Sequence, residues 1–144
     1  MIRQAGLSDA YLAAQLAAKL WPAHTAAELL ADFETLLASE NAAVFLCIAH
    51  GSAIGFAQCQ LRHDYVEGTH SSPVGYLEGV FVEESYRNRG YGKKLVCACE
   101  QWARGRGCTE FASDCELDNR QSLAFHLNSG FQETNRIICF AKRI

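Results

Sequence analysis

The chain has 144 residues and lacks any apolar run near the roughly 18 residues that a membrane-spanning helix needs. Its Ala-rich start carries Asp9 and has no basic leader. It also contains no linker, internal repeat or low-complexity segment. These absences predict one compact, soluble domain in the cytoplasm.

An excess of positive charge is also missing. The sequence has 13 Lys and Arg residues against 16 Asp and Glu, which gives a formal net charge of −3. This balance argues against general nucleic-acid binding and leaves room for a cationic substrate.

Neither the histidines nor the cysteines have the spacing of a metal site, so no metal is expected. The five histidines are scattered, and the seven cysteines contain no Cys-x-x-Cys pair. The odd number of cysteines favours reduced core residues. Cys115 could act as a nucleophile, but no histidine stands beside it in sequence, and free Cys is usually a small buried hydrophobe.

A glycine turn between an apolar strand and an amphipathic helix is the most informative feature present. Residues 87–92 read Arg-x-x-Gly-x-Gly, which is neither the P-loop nor the dinucleotide fingerprint. The two glycines, Gly90 and Gly92, let the backbone approach an anion, and a helix opening near Tyr91 directs free N–H groups at it. Arg87 and Arg89 add positive charge. The turn therefore predicts a pyrophosphate site.

Periodicity and turn signals predict the order βααβββαβαβ, a mixed α/β sheet covered by helices on both faces. Thr25 and Glu28 form a capping box at the start of the second helix. The turn at residues 50–52 joins two strands. We expect helices over about 10–20, 26–39, 91–105 and 119–128, and, after a first strand without assigned bounds, strands over 43–49, 53–61, 75–82, 109–114 and 132–142.

The last predicted strand raises the question of assembly. Only 14 residues follow Gly130, enough for one long strand but few for a hairpin. Residues 137–140 would then form an unprotected apolar edge, a liability that pairing with another chain removes. We therefore expect a homodimer with the C-terminal strands at or near its interface.

The turn resembles the coenzyme A loop of the GCN5-related N-acetyltransferases (GNAT), and residues 119–131 resemble the Asn-to-Gly-Phe segment of that family. Four more segments resemble the aminoglycoside 6'-N-acetyltransferases of the chromosomal enterobacterial and Acinetobacter type: residues 19–24, 62–68, 71–79 and 112–114. The resemblance covers essentially the whole chain. It implies a single GNAT domain over residues 1–144 that transfers acetyl from acetyl-coenzyme A to the 6'-amine of drugs such as tobramycin, and so confers resistance.

The resemblance also implies which residues bind the two substrates. Trp21 could instead plug the core, and His24 could be only a polar loop residue. Asn135 stands where the enterobacterial relatives have a drug-contacting Glu, which implies a weaker ammonium contact. The implied cofactor residues are Val80, Phe81, Val82, Arg87, Asn88, Arg89, Gly90, Tyr91, Gly92 and Asn119, and the implied drug residues are Trp21, His24, Tyr65, Glu78, Asp114 and Asn135.

Three residues are catalytic candidates in a direct attack of a neutral amine on the thioester. Glu78, on an otherwise apolar strand, is costly unless paired or functional, and it is the leading base, acting through water. Asp114 could orient the amine, or cap the helix near residue 119 although it lies slightly early for that. His126 stands where many relatives have the Tyr that protonates the leaving thiolate. It could be that acid, or a packed helix residue with water as the acid.

Two other functions stay open at this point. The same chemistry could serve another amine, such as a polyamine or a protein N-terminus, with drug resistance incidental. Alternatively, the chain could be a non-catalytic module that binds coenzyme A or the drug.

Overall fold

The structure is a computed structural model that describes all 144 residues. It contains five strands and four helices, in the predicted order except at the C-terminus. Two short 3-10 turns lie at Leu7–Asp9 and Glu84–Tyr86. The strands are β1 (Ile2–Gln4), β2 (Ala42–Ala49), β3 (Ser52–Arg62), β4 (Val74–Val82) and β5 (Phe111–Ser113), and the helices are α1 (Ala10–Leu20), α2 (Ala26–Ala38), α3 (Tyr91–Gly105) and α4 (Arg120–Asn128).

The strands form one sheet in the order β1-β2-β3-β4-β5. The first four are antiparallel to their neighbours, and β5 runs parallel to β4. Side chains of α1 and α2 pack on one face of the sheet, and those of α3 pack on the other. The prediction of a mixed α/β sheet covered on both faces is therefore confirmed.

The local signals also behave as predicted. Thr25 Oγ1 accepts the Glu28 N–H at 3.2 Å, and Thr25 N–H donates to Glu28 Oε2 at 3.3 Å, so the capping box opens α2. His50 and Gly51 both have positive φ, at 50° and 76°, which suits the tight turn between β2 and β3.

A bulge interrupts the pairing of β3 with β4. Cys59 pairs with Leu77, whereas the preceding residue Gln58 pairs with Gly79. Glu78 is therefore one extra residue on β4, with no partner across the ladder.

Because of the bulge, the consecutive positions Glu78 and Gly79 lie on the same face of the sheet. Phe81 packs on the α1 and α2 side, and a Cβ at Gly79 would also meet that side. Leu77, Val80 and Val82 pack on the α3 side. Glu78 thus joins the α1 and α2 side without disturbing the apolar alternation around it.

The parallel pairing of β4 with β5 is short. It covers three pairs, Gly75 with Phe111, Tyr76 with Ala112 and Leu77 with Ser113. Beyond Leu77 the edge of β4 that faces β5 has no strand partner, so residues 78–82 present an open edge there.

The predicted final strand over residues 132–142 is wrong. No strand forms after α4, and Ile138 and Phe140 are 78% and 91% exposed. A strand needs a partner ladder. β5 is only three residues long, and these apolar side chains are left largely exposed.

The start of this C-terminal segment nevertheless touches the domain. Asn135 Nδ2 donates to Glu67 Oε1 at 3.2 Å, and the Thr134 side chain lies against Gly68. The loop between β3 and β4 thereby fixes the start of the C-terminal segment on the domain.

The interpretation of all cysteines as core residues is only partly right. Cys47, Cys59, Cys99 and Cys108 are buried, but Cys97, Cys115 and Cys139 are exposed, and none forms a disulfide. The exposed three lie on α3, in the loop after β5 and in the C-terminal segment.

No three His, Cys, Asp or Glu side chains come together as ligands for a metal ion. None of the helices has the length and apolarity required to cross a membrane.

Candidate active site

Two carboxylates follow the last registered pair at the point where β4 and β5 separate. Leu77 and Ser113 are the last registered pair, so Glu78 and Asp114 are the next residues on the two neighbouring strands. The bulge turns the Glu78 side chain to the α1 and α2 side of the sheet, where it is 21% exposed. The sequence predicted both carboxylates, and the sheet brings them to the same open edge.

Arg62, which had no predicted role, binds Glu78. Its Nη2 lies 2.8 and 3.1 Å from the two carboxylate oxygens, and its Nε lies 3.2 Å from Oε1. The guanidinium carbon also lies 3.5 Å from the centroid of the Tyr76 ring. Arg62 ends β3, and antiparallel pairing places it diagonally opposite Tyr76. A prediction of the β3–β4 register would have identified Arg62 through this diagonal contact with Tyr76.

Tyr76 links the same cluster to the second carboxylate, because its hydroxyl donates to Asp114 Oδ2. Burial, followed by this hydrogen bond, raises the pKa of the Tyr76 hydroxyl well above its usual value. The hydroxyl therefore remains a donor at neutral pH. Asp114 does not cap α4, since Asn119 Oδ1 accepts the Ser122 N–H at 3.0 Å in that role.

Trp21 borders the bulge from the end of α1. Its ring meets Phe56 edge to face at 6.1 Å, and a Cβ at Gly79 would lie 2.8 Å from its ring carbon Cζ2. The indole is partly exposed. Trp21 thus packs on the core with one part of its ring and leaves another part exposed, and its contact with the substrate stays a prediction.

The remaining predicted drug residues lie farther out. Tyr65 is exposed, and its hydroxyl donates to Glu67 Oε2 at 3.2 Å, a bond that raises the pKa of Tyr65. Asn135 binds the other oxygen of Glu67. His24 is exposed, with Nδ1 3.4 Å from Glu28 Oε2. Tyr65 and Asn135 therefore both contact Glu67, whereas His24 lies apart from them, just before α2.

The predicted pyrophosphate turn has the required backbone. Asn88 and Gly90 have φ of 60° and 81°, and α3 begins at Tyr91 with no side chain capping its first N–H groups. Arg87 Nε donates to Val82 O at 2.9 Å, which ties the turn to β4. Arg89 lies over the Tyr86 ring at 5.7 Å.

Gly92 has a role that the sequence did not suggest. A Cβ there would lie 2.8 Å from Cε2 of Phe125, so this glycine allows α4 to pack closely against α3. Gly90 meets nothing within 4 Å and is required for its positive φ instead.

His126 lies packed beside the sheet, with both ring nitrogens engaged. Nδ1 is 2.7 Å from Ser122 O, and Nε2 is 2.8 Å from Ser113 Oγ. The ring also packs against Phe131 at 5.2 Å. The Nδ1 contact favours the tautomer with its proton on Nδ1, so that Nε2 accepts from the Ser113 hydroxyl. Sequence reasoning missed this contact with Ser113.

A profile of the acetyltransferase (GNAT) family matches residues 12–131. The chain belongs to the GNAT acetyltransferases. This acetyltransferase is 46% identical over 125 residues to aminoglycoside N(6')-acetyltransferase type 1 of Salmonella typhimurium, covering 87% of this chain and 86% of the relative. It is also 46% identical over 140 residues to the enzyme of the same name from Stenotrophomonas maltophilia, covering 96% and 90%.

The fold of the acetyltransferase matches a solved aminoglycoside acetyltransferase closely. AAC(6')-Iy, in complex with the bisubstrate analogue CoA-S-monomethyl-acetylneamine, superposes with a TM-score of 0.95 at 43% identity, covering 100% of this chain and 98% of the other. The resemblance to the GNAT family, first indicated by the glycine turn, is confirmed.

Proposed function

We propose that this acetyltransferase transfers an acetyl group from acetyl-coenzyme A to the 6'-amino group of aminoglycosides, and so confers resistance. The single observation that carries the proposal is the pair Glu78 and Asp114 at the open end of the β4–β5 ladder. The Glu78 side chain is 21% exposed, and a partly desolvated carboxylate attracts ammonium groups more strongly than it would in water. The similarity to enzymes named for this reaction supports the same assignment.

Acetyl-coenzyme A supplies the acetyl thioester, and the chain offers a fitting place for it. The uncapped start of α3 and the turn at 87–92 suit a pyrophosphate. The open edge of β4 includes residues 80–82, where the pantetheine arm would pair as an added strand does. The amide N–H of Val80 or a neighbour polarises the thioester carbonyl. Asn119 keeps its side-chain NH₂ free for the cofactor after its oxygen has capped α4.

The proposed chemistry is direct attack by the neutral amine, without an acyl-enzyme. Glu78 takes the proton of the substrate ammonium through water, and Asp114 orients the amine by hydrogen bonding. Water is the proposed acid for the leaving thiolate, because both ring nitrogens of His126 are engaged, with Ser122 O and Ser113 Oγ. Trp21 and Tyr65 offer flat surfaces to the sugar rings, and His24 and Asn135 provide polar contacts at the rim.

A thiol-release assay with acetyl-coenzyme A tests the function. We expect turnover of tobramycin, and none of an aminoglycoside with a 6'-hydroxyl in place of the amine. Spermidine serves as the competing amine. Turnover of spermidine without tobramycin would contradict the proposal and assign the enzyme to general amine acetylation.

We also propose that the enzyme is a homodimer held by the C-terminal segments. Ile137, Ile138 and Phe140 are exposed within four residues, and the outer edge of β5 has no partner in its own chain. Burial of these side chains against a second copy would remove both liabilities. The free cysteines, three of them exposed, suit the reducing cytoplasm as its location.

Size-exclusion chromatography with light scattering tests the dimer. We expect the mass of two chains at micromolar concentration, and the mass of one chain for a variant that ends after Asn135. A monomeric full-length protein under these conditions would contradict the proposed homodimer. The truncated variant retains the contacts of Thr134 and Asn135 with the loop, so it separates assembly from the anchoring of that loop.

A further inference from the structure

The proposed site contains a resident cation in contact with its proposed base. Arg62 binds both oxygens of Glu78 and lies flat on Tyr76. With Asp114 alongside, the cluster carries two carboxylates and one guanidinium, which leaves one unit of negative charge. The guanidinium is fixed by stacking as well as by charge, so it has two reasons to stay in place when a second cation arrives.

Attraction of an ammonium group and its deprotonation make opposite demands on such a site. Two unpaired carboxylates would bind a substrate ammonium tightly and would also hold its proton, because a nearby negative charge favours the charged form. A protonated amine has no lone pair with which to attack the thioester. A cation beside the carboxylates weakens the hold on the proton and leaves the hydrogen bonds to the amine nitrogen available.

We propose that Arg62 is the counter-charge that allows the bound substrate ammonium to lose its proton at Glu78. This positioning role rests on the function proposed above and concerns the same site. The N–H bond of the ammonium breaks, its electron pair stays on nitrogen, and the proton passes through a water molecule to Glu78 and on to solvent.

The other charged and titratable groups around the cluster do not replace Arg62. Tyr76 faces it from β4 as a neutral donor to Asp114. On the α1 side Lys19 is paired with Glu83, and after β3 come His63 and Asp64. Farther out, His24 pairs with Glu28 and Tyr65 with Glu67. Cys115, Glu116 and Asp118 follow Asp114 in the exposed loop after β5.

The pH profile of kcat for tobramycin with wild type and Arg62→Met is the decisive measurement. The Arg62 side chain is 40% exposed, so screening limits the expected shift to about one pH unit. In Arg62→Met we expect the rising limb of kcat to move to higher pH by that amount, with kcat about tenfold lower at neutral pH and recovered in alkali. KM for tobramycin should fall, because the ammonium form binds more tightly.

Arg62→Lys and Arg104→Met are the matched variants. Arg62→Lys keeps the charge and loses the fork, so its profile should return toward wild type. Arg104 pairs with Glu100 on α3 at 3.9 Å, and Arg104→Met should leave the profile unchanged. A merely structural role for Arg62 would raise KM and lower kcat at every pH, and that result would overturn the proposal.

Isothermal titration of tobramycin in buffers of different ionisation enthalpy gives a readout without turnover. Wild type should release more protons on binding near pH 7.5 than Arg62→Met does. If wild type is active but releases as many protons as Arg62→Met, or has the same pH profile of kcat, the role of Arg62 is rejected and the proposed function stays intact. Absence of both turnover and binding of tobramycin in wild type would overturn the function and this inference together.

Discussion

Glu78→Gln is expected to lower kcat/KM for tobramycin by about 10²- to 10⁴-fold, the range typical for loss of a general base. Glutamine keeps the size of the side chain and an oxygen for Arg62, so the bulge and the sheet should persist. The amide cannot accept the ammonium proton, and it leaves the guanidinium without its counter-ion. Steady-state thiol release, with either substrate varied, should place most of the loss in kcat and leave KM for acetyl-coenzyme A unchanged.

Glu100→Gln is the matched control for this substitution. Glu100 also pairs with an arginine and is similarly shielded, with a side chain 29% exposed against 21% for Glu78, but it lies on α3 away from the cleft. We expect its kinetics to equal those of wild type. If Glu78→Gln retained full drug binding and full resistance in cells, the chain would be better described as a binding module.

Gly55→Val is expected to lower the free energy of unfolding by about 3 kcal/mol, at the upper end of typical overpacking costs. A Cβ at Gly55 would lie 2.5 Å from the backbone oxygen of Phe81 and 3.2 Å from Cα of Val82. Both are backbone atoms of β4, so the added group cannot be accommodated by turning a side chain. Urea denaturation followed by tryptophan fluorescence, at equal protein concentrations, measures the loss.

Gly105→Ala provides the comparison at a glycine without such a neighbour. It ends α3, and a Cβ there meets nothing within 4 Å. We expect its free energy of unfolding to stay within about 0.5 kcal/mol of wild type. A Gly55→Val protein as stable as Gly105→Ala would mean that β3 and β4 can separate locally at little cost.

Much of the fold could be predicted because its signals are local. The capping box at Thr25, the turn at residues 50–52 and the glycine turn at 87–92 each depend on neighbours in sequence, and the structure reproduces all three. The two carboxylates could be located because each stands at a predicted strand, and parallel pairing brings Glu78 and Asp114 together.

The parts that were missed depend on contacts between distant segments. The partnership of Arg62 with Glu78 requires the register of β3 on β4, which a bulge shifts by one residue. The close approach of Phe125 to Gly92 requires the packing of α4 on α3. The C-terminal segment has the composition of a strand but no ladder within its own chain, and composition alone does not reveal a missing partner.

The bulge on β4 separates what the fold requires from what the chemistry requires. If Glu78 were removed, Leu77 would be followed by Gly79, and every apolar side chain of the strand would still point toward the same helix as before. The carboxylate thus occupies a one-residue insertion in an otherwise regular strand. Replacement of Glu78 is therefore expected to leave the apolar packing of β4 on the helices of both faces undisturbed.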